Sequence, residues 1–241
     1  ELRQPFRVTL ELTRRCRFRC VHCFLAGSPA VSGDRELTTA EWCLIMEELS
    51  GLGTLMLTFT GGDLFLREDL PELLREARRL RFVTRIFTNG EGLTPAVVEM
   101  LRKFPPFSLD VSLYGASRAS YRAVTGRGEV FPGVVRGIVR LRRAGFRTHI
   151  KFPVLRENAG DYPRVRAFCR RHGHTLLATT RITEQEDGGQ EPCAHKIEGE
   201  ALQGFLGEFG SVLKGAGRPP GDPVCYAGLS HFIVSPEGEM W

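Results

Sequence analysis

What most restricts the fold of this 241-residue chain is a two-part pattern that recurs six times, a short run of β-forming residues followed by a longer run with helical spacing. Residues 7–12, Arg-Val-Thr-Leu-Glu-Leu, alternate as a half-buried strand does. Further strands are predicted over residues 54–60, 82–89, 107–113, 147–154 and 175–183. The first helix opens at Thr38, which forms a capping box with Glu41, and its apolar positions are Trp42, Ile45, Met46 and Leu49. Later helices are predicted over residues 70–80, 95–103, a region running through 131–144, then 162–172 and 200–213. Parallel neighbours need long crossover connections, so this order predicts an α/β fold with a parallel sheet, either doubly wound or curved into a barrel.

Four distinctive stretches each come directly after a strand: residues 16–23, Gly61-Gly62-Asp63, Asn89-Gly90 and Tyr114-Gly115. Barrel enzymes place their chemistry at the carboxyl ends of the strands, and four such sites on one rim favour the barrel. A hydrophobic content of 42% is enough for one sizeable core.

The stretch Cys16-Arg17-Phe18-Arg19-Cys20-Val21-His22-Cys23 presents three thiols within eight residues. Structural zinc takes four ligands, so three cysteines imply a metal centre with one open position, unless His22 completes a zinc site. A disulfide with a spare thiol is the third reading. Seven cysteines are odd in number and sparse for an oxidised scaffold, and no signal-peptide pattern stands at Glu1, so a reducing cytoplasm is expected. No apolar run is long enough to span a bilayer, which predicts no membrane partner. The net charge of +5, from 33 Lys and Arg against 28 Asp and Glu, is spread over Arg-rich helices without interleaved aromatics. Such faces are solvated, so no nucleic-acid partner is expected, while an acidic peptide would be mildly attracted.

The order C-x-x-x-C-x-x-C resembles the signature of radical S-adenosylmethionine (radical SAM) enzymes. The resemblance implies a partial (β/α)6 TIM-like barrel in which Cys16, Cys20 and Cys23 hold three irons of a 4Fe-4S cluster and the fourth iron takes S-adenosyl-L-methionine. Gly61-Gly62-Asp63 is similar to the family's glycine-rich element that meets the amino group of the cofactor, with Asp63 where Glu is commoner. Glycines there would let a ligand approach the backbone, although a plain structural turn is also open. His22 sits where the family often has an aromatic residue beside adenine. Strand alternation puts Ser108, Asp110 and Ser112 on one face, toward the lumen. Ser112 resembles the family position at the carboxylate or ribose of the cofactor, and Asp110 is the candidate for meeting substrate or accepting a proton, if it is not simply a paired buried carboxylate. Lys151, on the same face as His149, is expected to pair with Asp110 or with the methionine carboxylate, and Thr125 falls where relatives carry a cofactor-binding residue.

Residues 225–241, from Cys225 through the turn Ser235-Pro236-Glu237-Gly238, resemble the opening of a SPASM extension. That implies a barrel over residues 1–214 and, over 215–241, a linker and the first hairpin of a truncated domain. Cys225 would be the first ligand of an auxiliary iron-sulfur cluster in the intact protein. Cys43 and Cys169 read as small buried hydrophobes and Cys193 as a minor candidate ligand near His195.

The function so implied is ribosomal peptide maturation by an oxidoreductase. The cluster, reduced by a flavodoxin or ferredoxin, would split SAM to a 5′-deoxyadenosyl radical that takes hydrogen from a precursor peptide or protein side chain. The alternatives are a radical SAM enzyme acting on a small molecule or tetrapyrrole, and a non-catalytic metal-bearing peptide-binding module.

Overall fold

Among the described residues seven strands, all parallel, form one curved sheet: β1 (Arg7–Glu11), β2 (Met56–Thr60), β3 (Val83–Thr88), β4 (Ser108–Ser112), β5 (Thr148–Pro153), β6 (Thr175–Thr179) and β7 (His231–Val234). Their order is β6-β5-β4-β3-β2-β1-β7, so β6 and β7 are edges and the barrel stays open between them among the described residues. The structure, a computed structural model, describes residues 4–25, 35–213 and 230–240. The helices are α1 (Thr39–Gly51), α2 (Leu70–Arg79), α3 (Pro95–Lys103), α4 (Arg118–Thr125), α5 (Phe131–Arg143), α6 (Tyr162–His172) and α7 (Gly199–Leu213).

Period-two alternation sorts each strand into two faces. Leu10, Phe59, Ile86, Val111 and Ile150 are fully buried in the hydrophobic core, which the helices share through side chains such as Trp42 and Met46 of α1, Leu73 of α2 and Ile138 of α5. Side chains of that size contribute about 1.5–3 kcal/mol each on burial. The opposite face carries Thr9, Glu11, Arg85, Asp110 and His149, so the lumen is polar. The Thr38 box is present, with Glu41 N–H donating to Thr38 Oγ1 at 3.3 Å and Thr38 N–H to Glu41 Oε2 at 2.8 Å.

Three expectations change. The strand predicted to reach residue 183 ends at Thr179. The helical region after β4 is two helices, because Gly126, at φ 75°, caps α4 in the left-handed conformation that glycine adopts freely. The strand of the predicted terminal hairpin joins the barrel sheet, since β7 pairs with β1 from Arg7↔His231 to Leu10↔Val234. Its turn is where the sequence put it, with Gly238 N–H donating to the Ser235 carbonyl at 3.0 Å. The 214/215 boundary and Cys225 lie outside the described residues.

Candidate active site

The loop after β1 is held down from below. Arg19 N–H donates to Thr125 O at 3.0 Å and Val21 N–H to Val124 O at 2.9 Å. The loop thus satisfies carbonyls that the end of α4 leaves without helical partners. Phe18, 1% exposed, drives the same docking by packing edge-on against Tyr114 and Tyr121 at centroid distances of 6.2 and 6.5 Å. Thr125 therefore sits beneath the cysteine loop, its hydroxyl donating to Tyr121 O at 2.7 Å.

Cys16, Cys20 and Cys23 open on one cavity of about 220 Å³ that Gly61, Gly62 and Ser112 also line and Thr125 does not. Burial pushes all three thiols up from the usual cysteine range, so a metal taken here would displace protons. Asn89 Nδ2 lies 3.7 Å from Cys16 Sγ, and Tyr114 lines the same cavity as Ser112 and Cys20. Neither Asn89 nor Tyr114 was singled out from sequence as a site residue, though the strand-end Asn-Gly and Tyr-Gly pairs pointed at their positions. Among the described residues no three His, Cys or carboxylate groups converge on a point where one ion would be held. Three thiols spread along one cavity are the donor set a cluster uses, in which each thiolate takes a different iron.

The glycines prove to be needed by the chain itself. A Cβ on Gly61, whose φ is 136°, would lie 2.4 Å from the Thr13 carbonyl, and one on Gly62 would lie 2.4 Å from the Arg15 carbonyl. Gly62 N–H donates to Thr13 O at 2.8 Å and Asp63 N–H to Arg15 O at 2.7 Å. The strand end and the base of the cysteine loop are thus locked backbone to backbone. Asp63, 2% exposed, is outside the cavity lining and accepts from Phe65 N–H at 3.3 Å, and burial pushes its carboxyl up to about 6.

Further clamps come from charged groups. Arg14 donates through Nε to Glu237 Oε1 at 3.0 Å and through a terminal nitrogen to Glu237 Oε2 at 3.1 Å, and it also contacts Glu186. Glu11, 2% exposed, faces this cluster with Oε2 unpartnered, and burial, against the pull of Arg14, pushes its carboxyl up to about 7.

In the lumen, Asp110 has no exposed side-chain surface. It accepts from Arg85 at 2.9 Å, contacts His149 Nδ1 at 3.0 Å and lies 3.7 Å from Lys151 Nζ. The pairing register causes this, since β3–β4–β5 set Phe87, Asp110 and His149 side by side, with Ser112 opposite Lys151 one pleat on. Asp110 is spent on holding these basic groups, whereas Lys151 reaches the cavity, its ammonium 3.2 Å from the Phe87 ring centroid. Burial lowers Lys151 to about 8 despite Asp110. His22, tilted against Tyr114 at 5.4 Å, lines the cavity too, and burial, with His195 adding to it, lowers its imidazole to about 4. A second cavity of about 400 Å³ adjoins the first and shares His22, Ser112, Tyr114 and Lys151 with it.

The sequence pattern of the radical SAM superfamily matches residues 10–169. The chain is 29% identical to the mycofactocin maturase MftC of Mycolicibacterium smegmatis over 98% of this chain and 64% of that protein. It is 29% identical to the Fe-coproporphyrin III synthase of Methanosarcina barkeri over 66% of this chain and 39% of that one. Streptococcus suis SuiB, solved with S-adenosylmethionine, superposes with a TM-score of 0.75 at 17% identity, covering 99% of this chain and 60% of SuiB. SuiB with its precursor peptide SuiA gives 0.71 at 16% identity over 99% and 59%. The chain thus spans about two fifths to two thirds of the length of these relatives. A match over more than half of the chain, spanning the cysteine loop and the strand-end glycines, makes it a member of the radical SAM superfamily.

Proposed function

We propose that this chain is the catalytic barrel of a radical SAM maturase acting on a peptide or protein side chain. The observation that carries the reading is that Cys16, Cys20, Cys23, Gly61, Gly62 and Ser112 all face one cavity. The three thiolates would hold the cluster, and Gly61 and Gly62 would let the amino group of SAM approach their backbone, with Asp63 bracing that turn from behind. Ser112 and Lys151 take the carboxylate or ribose, His22 flanks adenine, and Thr125 acts indirectly by seating the loop. Asp110 is a positioning residue that holds Lys151 and His149. When bound and reduced, the cluster supplies one electron that splits SAM to a 5′-deoxyadenosyl radical competent to take a substrate hydrogen. The residues of this chain bind, orient and keep water from that space.

The peptide substrate is favoured by MftC, a maturase by name, which is similar over nearly the whole of this chain, and by SuiB, which binds a precursor peptide. A tetrapyrrole substrate is the second reading, favoured by the likeness to the coproporphyrin synthase over a shorter stretch. Cys225 would ligate an auxiliary cluster, and a flavodoxin or ferredoxin would supply the electron.

Anaerobic reconstitution with iron and sulfide tests the class. Cluster absorbance and formation of 5′-deoxyadenosine from SAM under dithionite are expected, and both should vanish when Cys16, Cys20 and Cys23 are all changed to Ala. A triple variant that keeps its full iron content would sink the proposal. Incubation with a precursor peptide and mass spectrometry then separates the two substrates.

A further inference from the structure

The second cavity carries charge of one sign only. Its lining includes His22, Lys151 and Arg181 and contains no Asp or Glu. The rest of the wall comes from apolar and hydroxyl side chains, among them Leu177, Ile182 and Thr183. Lys151 stands on the boundary and lines both chambers. Arg181 lines only the outer one, at the point where the chain leaves β6.

Among the described residues, Arg181 lacks a partner for its charge. Its backbone N–H donates to Thr179 Oγ1 at 3.1 Å, and no described carboxylate pairs with its guanidinium. Other cations of this chain, Arg67 with Asp69, Arg127 with Glu91 and Arg14 with Glu237, are taken up by carboxylates, whereas the exposed Arg181 is available to a ligand in the chamber. Of the carboxylates near the boundary, Asp110 is shared among Arg85, His149 and Lys151, and Glu157, which acts on His22, is paired with His195 at 2.7 Å and with Arg156, so both are taken up by other basic groups. The segment bearing Arg181 is also fixed in place. Ile182 is 7% exposed, and a few residues on Glu186 N–H donates to the Phe24 carbonyl at 2.9 Å, tying the wall to the cysteine loop.

A chamber that carries two cations, has no carboxylate in its wall and opens directly on the reaction space fits a ligand with a carboxylate. Guanidinium is the group best shaped for it, since its planar fork can bind both oxygens at once. We propose that the outer chamber is a substrate subsite for a carboxylate, gripped by Arg181 from the outer wall and attracted by Lys151 from the shared wall. This rests on the inner chamber being the cofactor site. The carboxylate would be an acidic side chain or the free C-terminus of the peptide, close to the residue that reacts.

The test uses cluster-reconstituted, SAM-loaded protein in equilibrium dialysis against three random hexapeptide pools and one porphyrin. One pool has a free C-terminus and no acidic residue, one has Asp and Glu with an amidated C-terminus, and one has no carboxylate. The porphyrin bears propionates. At least one carboxylate pool should be retained about tenfold more than the neutral pool, and which one tells the source. Arg181→Gln should erase the preference, Arg181→Lys should keep part of it, and Arg102→Gln, on the exposed surface of α3, should leave it intact. SAM affinity should be the same in all variants. Equal retention of all probes, or a preference that survives Arg181→Gln, would overturn the proposal. Arg181-dependent retention of the porphyrin alone keeps the subsite and removes the peptide reading, whereas wild-type protein that fails to bind SAM condemns the cofactor assignment instead.

Discussion

The two chambers are built from different materials. The inner one is braced by main chain: Gly62 and Asp63 bond to the carbonyls of Thr13 and Arg15, and the cysteine loop bonds to those of Val124 and Thr125. The outer one is made of side chains from the end of β5, from β6 and from the residues after it, Arg181 and Thr183 among them exposed. Main-chain contacts do not depend on residue identity except where a Cβ cannot fit, so the inner chamber can be shared across a superfamily by fixing a few glycines and cysteines. Side-chain walls can be exchanged without touching the sheet, which puts selectivity on the β5–β6 side.

The sharpest way to break this contrast is Gly62→Val. Its Cβ would meet the carbonyls of Arg14 and Arg15 at 2.7 and 2.4 Å, both backbone atoms that cannot step aside. Loss of about 4 kcal/mol in a chemical denaturation series is expected, with the cluster lost alongside SAM binding because the cysteine loop moves. A stable variant that keeps its iron and loses only SAM would show that the glycine serves the ligand alone.

Glu11 gives a smaller effect with a direction in pH. Its carboxyl stands at about 7 in the fold against an ordinary 4.5. Below pH 4.5 both states hold the proton and the cost is absent. Between 4.5 and 7 the unfolded chain releases it first, so stability falls as pH rises, and above 7 the full cost, about 3 kcal/mol at 1.4 kcal/mol per pH unit, is present. Glu11→Gln should therefore gain on the wild type steadily from pH 4.5 to 8. Parallel stability curves for the two proteins would mean that Glu11 is solvated.

The smallest change is expected in the outer chamber. Arg181→Gln and Thr183→Ala should each shift folding free energy by no more than about 0.5 kcal/mol, and leave iron content untouched. A large loss of stability in either would make that wall part of the scaffold and erase the distinction.

Periodicity and local chemistry were legible in the sequence. Alternation located the strands, the Thr38–Glu41 box located α1, and cysteine spacing located a loop whose three thiols line one cavity. Long-range pairing was not legible. Nothing local says that His231 to Val234 will lie beside β1, because the register of a parallel strand depends on partners far away in the chain. For the same reason Asp110 could be placed in the lumen, but not seen to be saturated until β3 and β5 were set on either side of it. Gly61 and Gly62 were recognised as sites of close approach, while what approaches them, Thr13 and Arg15, could only be read in three dimensions.

The salt bridge from Arg14 to Glu237 joins groups 223 positions apart, and this has a bearing on how the protein is made. During synthesis β1 and the cysteine loop emerge first and wait for almost the whole chain before β7 and its turn can close over them. Contacts of such separation form late, after loop closure has been offset by other structure. Until then one edge of β1 is bare and the cysteine loop lacks its Arg14–Glu237 tie. Completion of the hairpin would latch the loop only after the rest of the sheet has formed, which makes the base of the cysteine loop the last part of the inner chamber to become fixed.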